Sequence, residues 1–216
     1  TGGDSGIGRA AAVAYAKEGA NVTISYLDEH KDAEECKKAI ESYGGCCILV
    51  PADMKKPESS RLIVEKTLNA FGGINIVVNN CAVQYTQGSI LDISDEQLHE
   101  TFETNIYSYF YLTKAALPYL DEGDCIINTS SITAYNGHKQ LIDYSTTKGA
   151  NVTFTRSLAL SLADKGIRVN GIAPGFFWTA LQPAKGSTDV EGIMTFGIDT
   201  PMKRAGQPFQ LAPADV

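Results

Sequence analysis

The chain is short of several things that would announce a function. No apolar run in its 216 residues approaches the roughly 18 needed to cross a bilayer as a helix. Positive charge is in the minority: 18 Lys and Arg against 25 Asp and Glu give a formal net charge of −7. The acidic residues are spread along the chain, which leaves no basic patch for nucleic acid or anionic lipid and excludes both as partners. Histidine is scarce (His30, His99, His138), and the five cysteines (Cys36, Cys46, Cys47, Cys81, Cys125) include no C-x-x-C pair. Neither set has ligand spacing, so no metal site is expected. An odd number of scattered thiols fits a reducing compartment, and the expected location is cytoplasmic.

What the chain does have is alternation. Short β-branched apolar runs occur at 21–26, 46–51, 74–80, 125–131 and 168–174, each bounded by polar or turn residues. Amphipathic stretches near 7–18, 29–43, 57–71, 95–119 and 143–164 separate them. Alternating strands and helices imply an α/β fold, a doubly wound parallel sheet in three αβα layers. Residues 176–205 break the rhythm with Phe176, Phe177, Trp178, Pro183, Gly186, Gly192, Gly197 and Pro201. An irregular insert after a strand's carboxyl end sits over the ligand crevice of such a sheet, so this segment is expected to be a substrate lid rather than a plain surface loop.

Three motifs carry chemistry. Gly2, Gly6 and Gly8 in "TGGDSGIGRA" lead straight into an alanine-rich helix, whose first N–H groups would face a phosphate. Gly8 is followed by Arg9 and Ala10 rather than Lys and Ser/Thr, which dismisses a nucleoside-triphosphate loop. In "DYSTTKGA", Tyr144 and Lys148 are four residues apart and share one helix face. A cation one turn away would lower the phenol's pKa from its reference of about 10. Ser131, in "NTSSITAY", ends a strand thirteen residues before Tyr144, where its hydroxyl could meet a substrate oxygen. Each motif alone has an ordinary reading: a turn, a solvated helix pair, strand-end chemistry.

Taken together, with Asn79–Asn80, Asn105 and the later "PGFFWT", they resemble the short-chain dehydrogenase/reductase family in order and approximate spacing, over essentially the whole chain. The resemblance implies a Rossmann-like fold and hydride exchange between a nicotinamide cofactor and an alcohol, aldehyde or ketone. It implies Tyr144 as proton donor or acceptor, Lys148 as the cation that lowers its pKa and bonds the nicotinamide ribose, and Ser131 as a second partner for the substrate oxygen. Asn105 would hold a water linking Lys148 to solvent. Gly2, Ser5, Gly6, Ile7 and Gly8 would cradle the phosphates, and Asp53, beside Met54, would meet the adenine. Asn80 and Ala82 belong to "VNNCA", which departs from the family's N-N-A-G. Pro174 and Gly175 would lie beside the nicotinamide, with Thr179 near its carboxamide. The family's acidic NAD position falls on Tyr26, followed by Leu27, Asp28 and Glu29. With no Arg or Lys there, and with Asp4 in the glycine turn, charge favours NAD over NADP. Asp28 either reaches the ribose or caps the next helix.

The substrate pocket is expected to use Gln84, Tyr85, Tyr135, His138, Trp178 and Phe196, a mixed polar and aromatic set that names no compound. The resemblance implies a homotetramer, with helices near 95–119 and 143–164 packing across a dimer axis. A phosphate turn of this kind normally follows a buried strand, and none precedes Thr1. The chain therefore reads as a single domain over 1–216, truncated at both ends and lacking its first and last strands. On that reading residues 1–216 alone are expected to be molten and to bind cofactor poorly. A non-catalytic cofactor-binding sensor and an inactive fragment of the fold remain the competing readings.

Overall fold

A computed structural model describes residues 1–188 and 190–216; Asp189, inside the 176–205 segment, lies outside the described residues. The first helix, α1 (Gly6–Lys17), buries Gly8, Ala11, Ala12, Tyr15 and Ala16, the stripe that helical periodicity dictates. Its small side chains let it lie close on β1 (Val22–Tyr26). Then come α2 (His30–Ser42), β2 (Cys47–Pro51) and α3 (Pro57–Phe71). Pro57 opens α3 and Gly72, at φ +80°, ends it in the left-handed region. After β3 (Ile76–Asn79), α4 (Asp95–Phe102) passes through a π-helical turn (Glu103–Tyr107) into α5 (Ser108–Ala116). The strand β4 (Cys125–Thr129) is buried along its whole length, as a central parallel strand must be. Then follow α6 (Thr133–Asn136), α7 (Ile142–Leu162) and β5 (Arg168–Ile172), and finally α8 (Val190–Met194) and α9 (Pro208–Leu211).

Every strand pair is parallel, as expected, but the strands form two sheets rather than one. β1 pairs with β2, and β3, β4 and β5 pair in that order. Between β1 and β3 lies a cavity of about 400 Å³ lined by apolar side chains including Ile24, Ile63, Val64, Val77 and Leu112. No described strand occupies it, and that splits the sheet. Thr1 and Gly2 sit at its end and touch both sides: the Thr1 amine donates to Val78 O at 2.9 Å, and the Gly2 amide to Ser25 O at 2.7 Å.

Two cores cover the two faces. Ala12, Ala16, Ile24, Tyr26, Ala33, Cys36, Ile40 and Cys47 join α1 and α2 to β1 and β2. On the other face α3, α5 and the end of α7 contribute Ile63, Val64, Leu112, Ala116 and Leu162, packed on Val50, Val77, Ile126 and Val169. Among the described residues no helix is long and apolar enough to cross a membrane.

Candidate active site

A cleft of about 830 Å³ runs across the carboxyl ends of the strands of both sheets. At one end is the glycine turn. Gly2 and Gly6 have φ of +59° and +53°, a conformation that side chains other than glycine rarely adopt. A Cβ on Gly8 would lie 2.0 Å from Gly2 O, so the turn closes only with glycine there. Asn80 fastens the turn from β3, its Nδ2 donating to Thr1 O at 3.0 Å and Gly2 O at 3.2 Å. Ser5 precedes α1 without capping it through its side chain, which leaves the first amides of a 12-residue helix facing the cleft. Gly2, Ser5, Gly6 and Ile7 line the cleft, while Gly8 lies beneath it. A cradle that a Cβ would fill, beside open helix amides, fits a dinucleotide's phosphates.

At the other end β4 and α7 bring three side chains together. Ser131, 7% exposed, and Tyr144, 8% exposed, both line this end of the cleft. Lys148, 1% exposed, lies under them with Nζ 5.5 Å from the Tyr144 ring centre. Its ammonium donates to Thr129 O at 2.8 Å, and the same carbonyl accepts the Tyr109 hydroxyl at 3.2 Å. Burial dominates the electrostatics here. It pushes Tyr144 up to about 12, and the Ser131 hydroxyl is the influence that pulls it back. Burial likewise pushes Lys148 down to about 8, with Cys81 pulling the other way. Lys148 is not among the influences on the phenol here, and its ammonium is aimed at Thr129 O.

Asn105 is fully buried in the π-helical turn. Its Oδ1 accepts the Val83 amide at 2.8 Å, and its Nδ2 donates to Val83 O at 2.9 Å and Thr147 Oγ1 at 3.1 Å. It clamps the loop after β3 to α7. Its main-chain carbonyl accepts Asn151 Nδ2 at 3.2 Å.

Tyr26, Asp53, Met54, Asn80, Ala82, Pro174, Gly175 and Thr179 all line the cleft. The Tyr26 hydroxyl pairs with His30 Nδ1 at 2.9 Å, and Asp53 Oδ1 accepts the Lys55 amide at 3.1 Å. Thr179 sits over Gly6, at the phosphate end, and gives its hydroxyl proton to Gln182 Oε1 at 2.6 Å. Asp28 does not cap α2 with its side chain; Glu29 is the N-cap residue. Of the pocket candidates, Gln84, His138 and Phe196 line the cleft, and Tyr85, Tyr135 and Trp178 do not. Tyr135 points to solvent at 62% exposure. Tyr85 bonds Glu100 at 3.1 Å, and Trp178 packs on the far side of Phe196. Loop position told which segments reach the cleft but not which way a side chain turns.

Sequence reasoning missed Thr129, Thr133 and Asp143. Thr129 acts through a main-chain carbonyl, which no residue type marks. Asp143 is 3% exposed, and its Oδ2 accepts Thr101 Oγ1 at 2.9 Å and Gln97 Nε2 at 3.0 Å from α4. A buried acid beside Tyr144 in "IDYS" was the available signal.

The comparisons agree with this geometry. A family model described as enoyl-(acyl carrier protein) reductase matches residues 2–215. An uncharacterised oxidoreductase of Bacillus subtilis (strain 168) is 58% identical over 216 residues, covering 100% of this chain and 74% of that protein. The NADPH-dependent aldehyde reductase 1, chloroplastic, of Arabidopsis thaliana is 49% identical over 222 residues, covering 100% and 76%. The crystal structure of a short chain dehydrogenase from Burkholderia cenocepacia J2315 in complex with NADP superposes with a TM-score of 0.90 at 29% identity, over 99% of this chain and 85% of that one. Likeness of this extent leaves one assignment: the chain belongs to the short-chain dehydrogenase/reductase family and is an NAD(P)-dependent oxidoreductase.

Proposed function

We propose that the chain reduces a small aldehyde or ketone, and oxidises the matching alcohol, with Tyr144 as general acid and base. The observation that carries this is the buried cluster of Ser131 and Tyr144, with Lys148 beneath it, at the opposite end of the cleft from the glycine cradle. A nicotinamide held along the cleft supplies or takes the hydride. As charge grows on the carbonyl oxygen, Ser131 donates to it and Tyr144 passes it a proton. A phenol pushed up to about 12 is protonated at neutral pH, the form a proton donor needs. Lys148 then stands near the phenolate that remains.

Charge supports NAD over NADP. Asp4 is 7% exposed in the cleft, and Leu27, Asp28 and Glu29 offer no cation to a 2′-phosphate. The names of the Arabidopsis relative and the Burkholderia complex point the other way, so both cofactors belong in the test. Residues 176–205 serve as the lid. They reach the loop after β3 through Thr86 N to Gly186 O at 2.7 Å and Gln84 Nε2 to Ser187 Oγ at 2.7 Å. A homotetramer is supported by exposed apolar side chains on the π-helical turn, α5 and α7, Tyr107, Phe110 and Leu160 among them.

The test is NADH and NADPH oxidation over a panel of small carbonyls, with an enoyl thioester included because the matching family model is described as an enoyl reductase. Carbonyl turnover is expected. Tyr144→Phe should lower it about 100-fold or more while cofactor affinity, read by NADH fluorescence, stays within a few-fold. Near-normal turnover in that variant, or reduction of the enoyl thioester alone, would sink the reading.

A further inference from the structure

A serine hydroxyl has one proton to give and two lone pairs to fill. At Ser131 a single neighbour fills both. The Thr133 amide donates to Ser131 Oγ at 3.2 Å, and the Thr133 hydroxyl donates to it at 3.0 Å. The turn between β4 and α6 makes this possible. Ala134 N bonds Ser131 O at 3.0 Å, and Ile132 N bonds Pro174 O at 2.9 Å. Thr133 is half-buried and lines the same cleft.

The consequence concerns proton direction. A serine with a free lone pair could accept the Tyr144 proton, which would turn that proton away from a substrate. With both acceptor positions taken, Ser131 can only donate. We propose that Thr133 is a positioning residue for the reaction: it saturates Ser131 as an acceptor, so that the Ser131 proton points at the reacting oxygen and the Tyr144 proton stays free to transfer. This rests on the reading of Ser131 and Tyr144 given above.

The experiment uses Thr133→Val, Thr133→Ser, Ser131→Ala and the double variant of Thr133→Val with Ser131→Ala. Thr133→Val keeps the amide and removes the hydroxyl donor. It is expected to lower kcat about fivefold to tenfold with KM within twofold, and Thr133→Ser to restore it. In the Ser131→Ala background Thr133→Val should cost nothing more. A second readout needs no turnover: the ¹³Cζ resonance of Tyr144, assigned by its loss in Tyr144→Phe. It should move in Thr133→Val and not move further in the double variant than in Ser131→Ala. Equal losses in both backgrounds, a Thr133→Ser variant as poor as Thr133→Val, or an unmoved resonance would overturn the proposal. If no carbonyl is turned over at all, the functional reading fails, and the resonance still decides whether Thr133 acts through Ser131.

Discussion

Lys148 and Tyr144 stood out in the sequence because four-residue spacing on a helix is a local fact, and Ser131 because a strand end is one. What surrounds them was not readable. The oxygen that holds the Lys148 ammonium belongs to the Thr129 main chain, and the burial that moves both pKa values is a tertiary property. Burial has a measurable sign. Lys148 falls to about 8 from an ordinary 10.5, so between those values the unfolded chain holds more protons than the folded one, and stability from this residue rises with pH. Tyr144 works the other way above pH 10, where the folded chain keeps the extra proton and stability is lost as pH climbs. Chemical denaturation of wild type and Lys148→Met should therefore show their stability difference moving in favour of wild type from pH 8 to pH 10, by on the order of 1–3 kcal/mol. A difference flat across that window contradicts the buried-cation account. Leu27 offers a second test at one position. It lines the cleft and is 58% exposed, so an arginine there has room to meet a 2′-phosphate. Leu27→Arg should raise kcat/KM for NADPH relative to NADH about tenfold, measured with one carbonyl.

The helices carry a different lesson. Residues 95–119 read as one amphipathic stretch, yet the structure breaks it at Glu103–Tyr107 with a π-helical turn, and nothing in "ETNIY" departs from helical composition. The extra residue in that turn lets Asn105 reach Val83 and Thr147 together, a tertiary requirement with no local signature. Asp143 is similar: the residue is visible, but its partners lie on α4, more than forty positions away. Asp143→Ala removes the carboxylate that Gln97 Nε2 and Thr101 Oγ1 share, leaving Thr101 only the Gln97 carbonyl, and should lower unfolding free energy by about 1.5–3 kcal/mol, read from urea denaturation. The glycine turn was fully readable, and it is testable through Gly8. Gly8→Ala places a methyl 2.0 Å from Gly2 O, so the turn must open. Loss of NADH binding, with thermal unfolding several degrees lower, is expected.

The fold class, the parallel order and the strand positions followed from the spacing of apolar runs. The separation into two sheets, with no described strand between β1 and β3, agrees with the expectation of a sheet lacking its first strand. It makes a further prediction. Val22 N bonds Cys46 O, so the odd positions Thr23 and Ser25 turn their amides away from β2 and toward the cavity. On β3, Val78 O receives the Thr1 amine and so faces the same space. Hydrogen exchange followed by NMR should find Thr23, Ser25 and Val78 exchanging faster than Val22, Ile24 and Val77. Uniform protection across β1 and β3 would contradict the split. The cleft crosses that same gap, with Tyr26, Asp53 and Met54 on the β1–β2 side and Ser131, Tyr144 and Lys148 on the β3–β5 side. A dinucleotide lying along it is therefore a bivalent ligand, each half seated on a different sheet. Its affinity depends on how constantly the two sheets hold their spacing, which sets the effective concentration of the second half once the first has bound. Mononucleotides, which engage one sheet each, escape that dependence, so mixing the two halves unlinked cannot reproduce what the linked molecule gains.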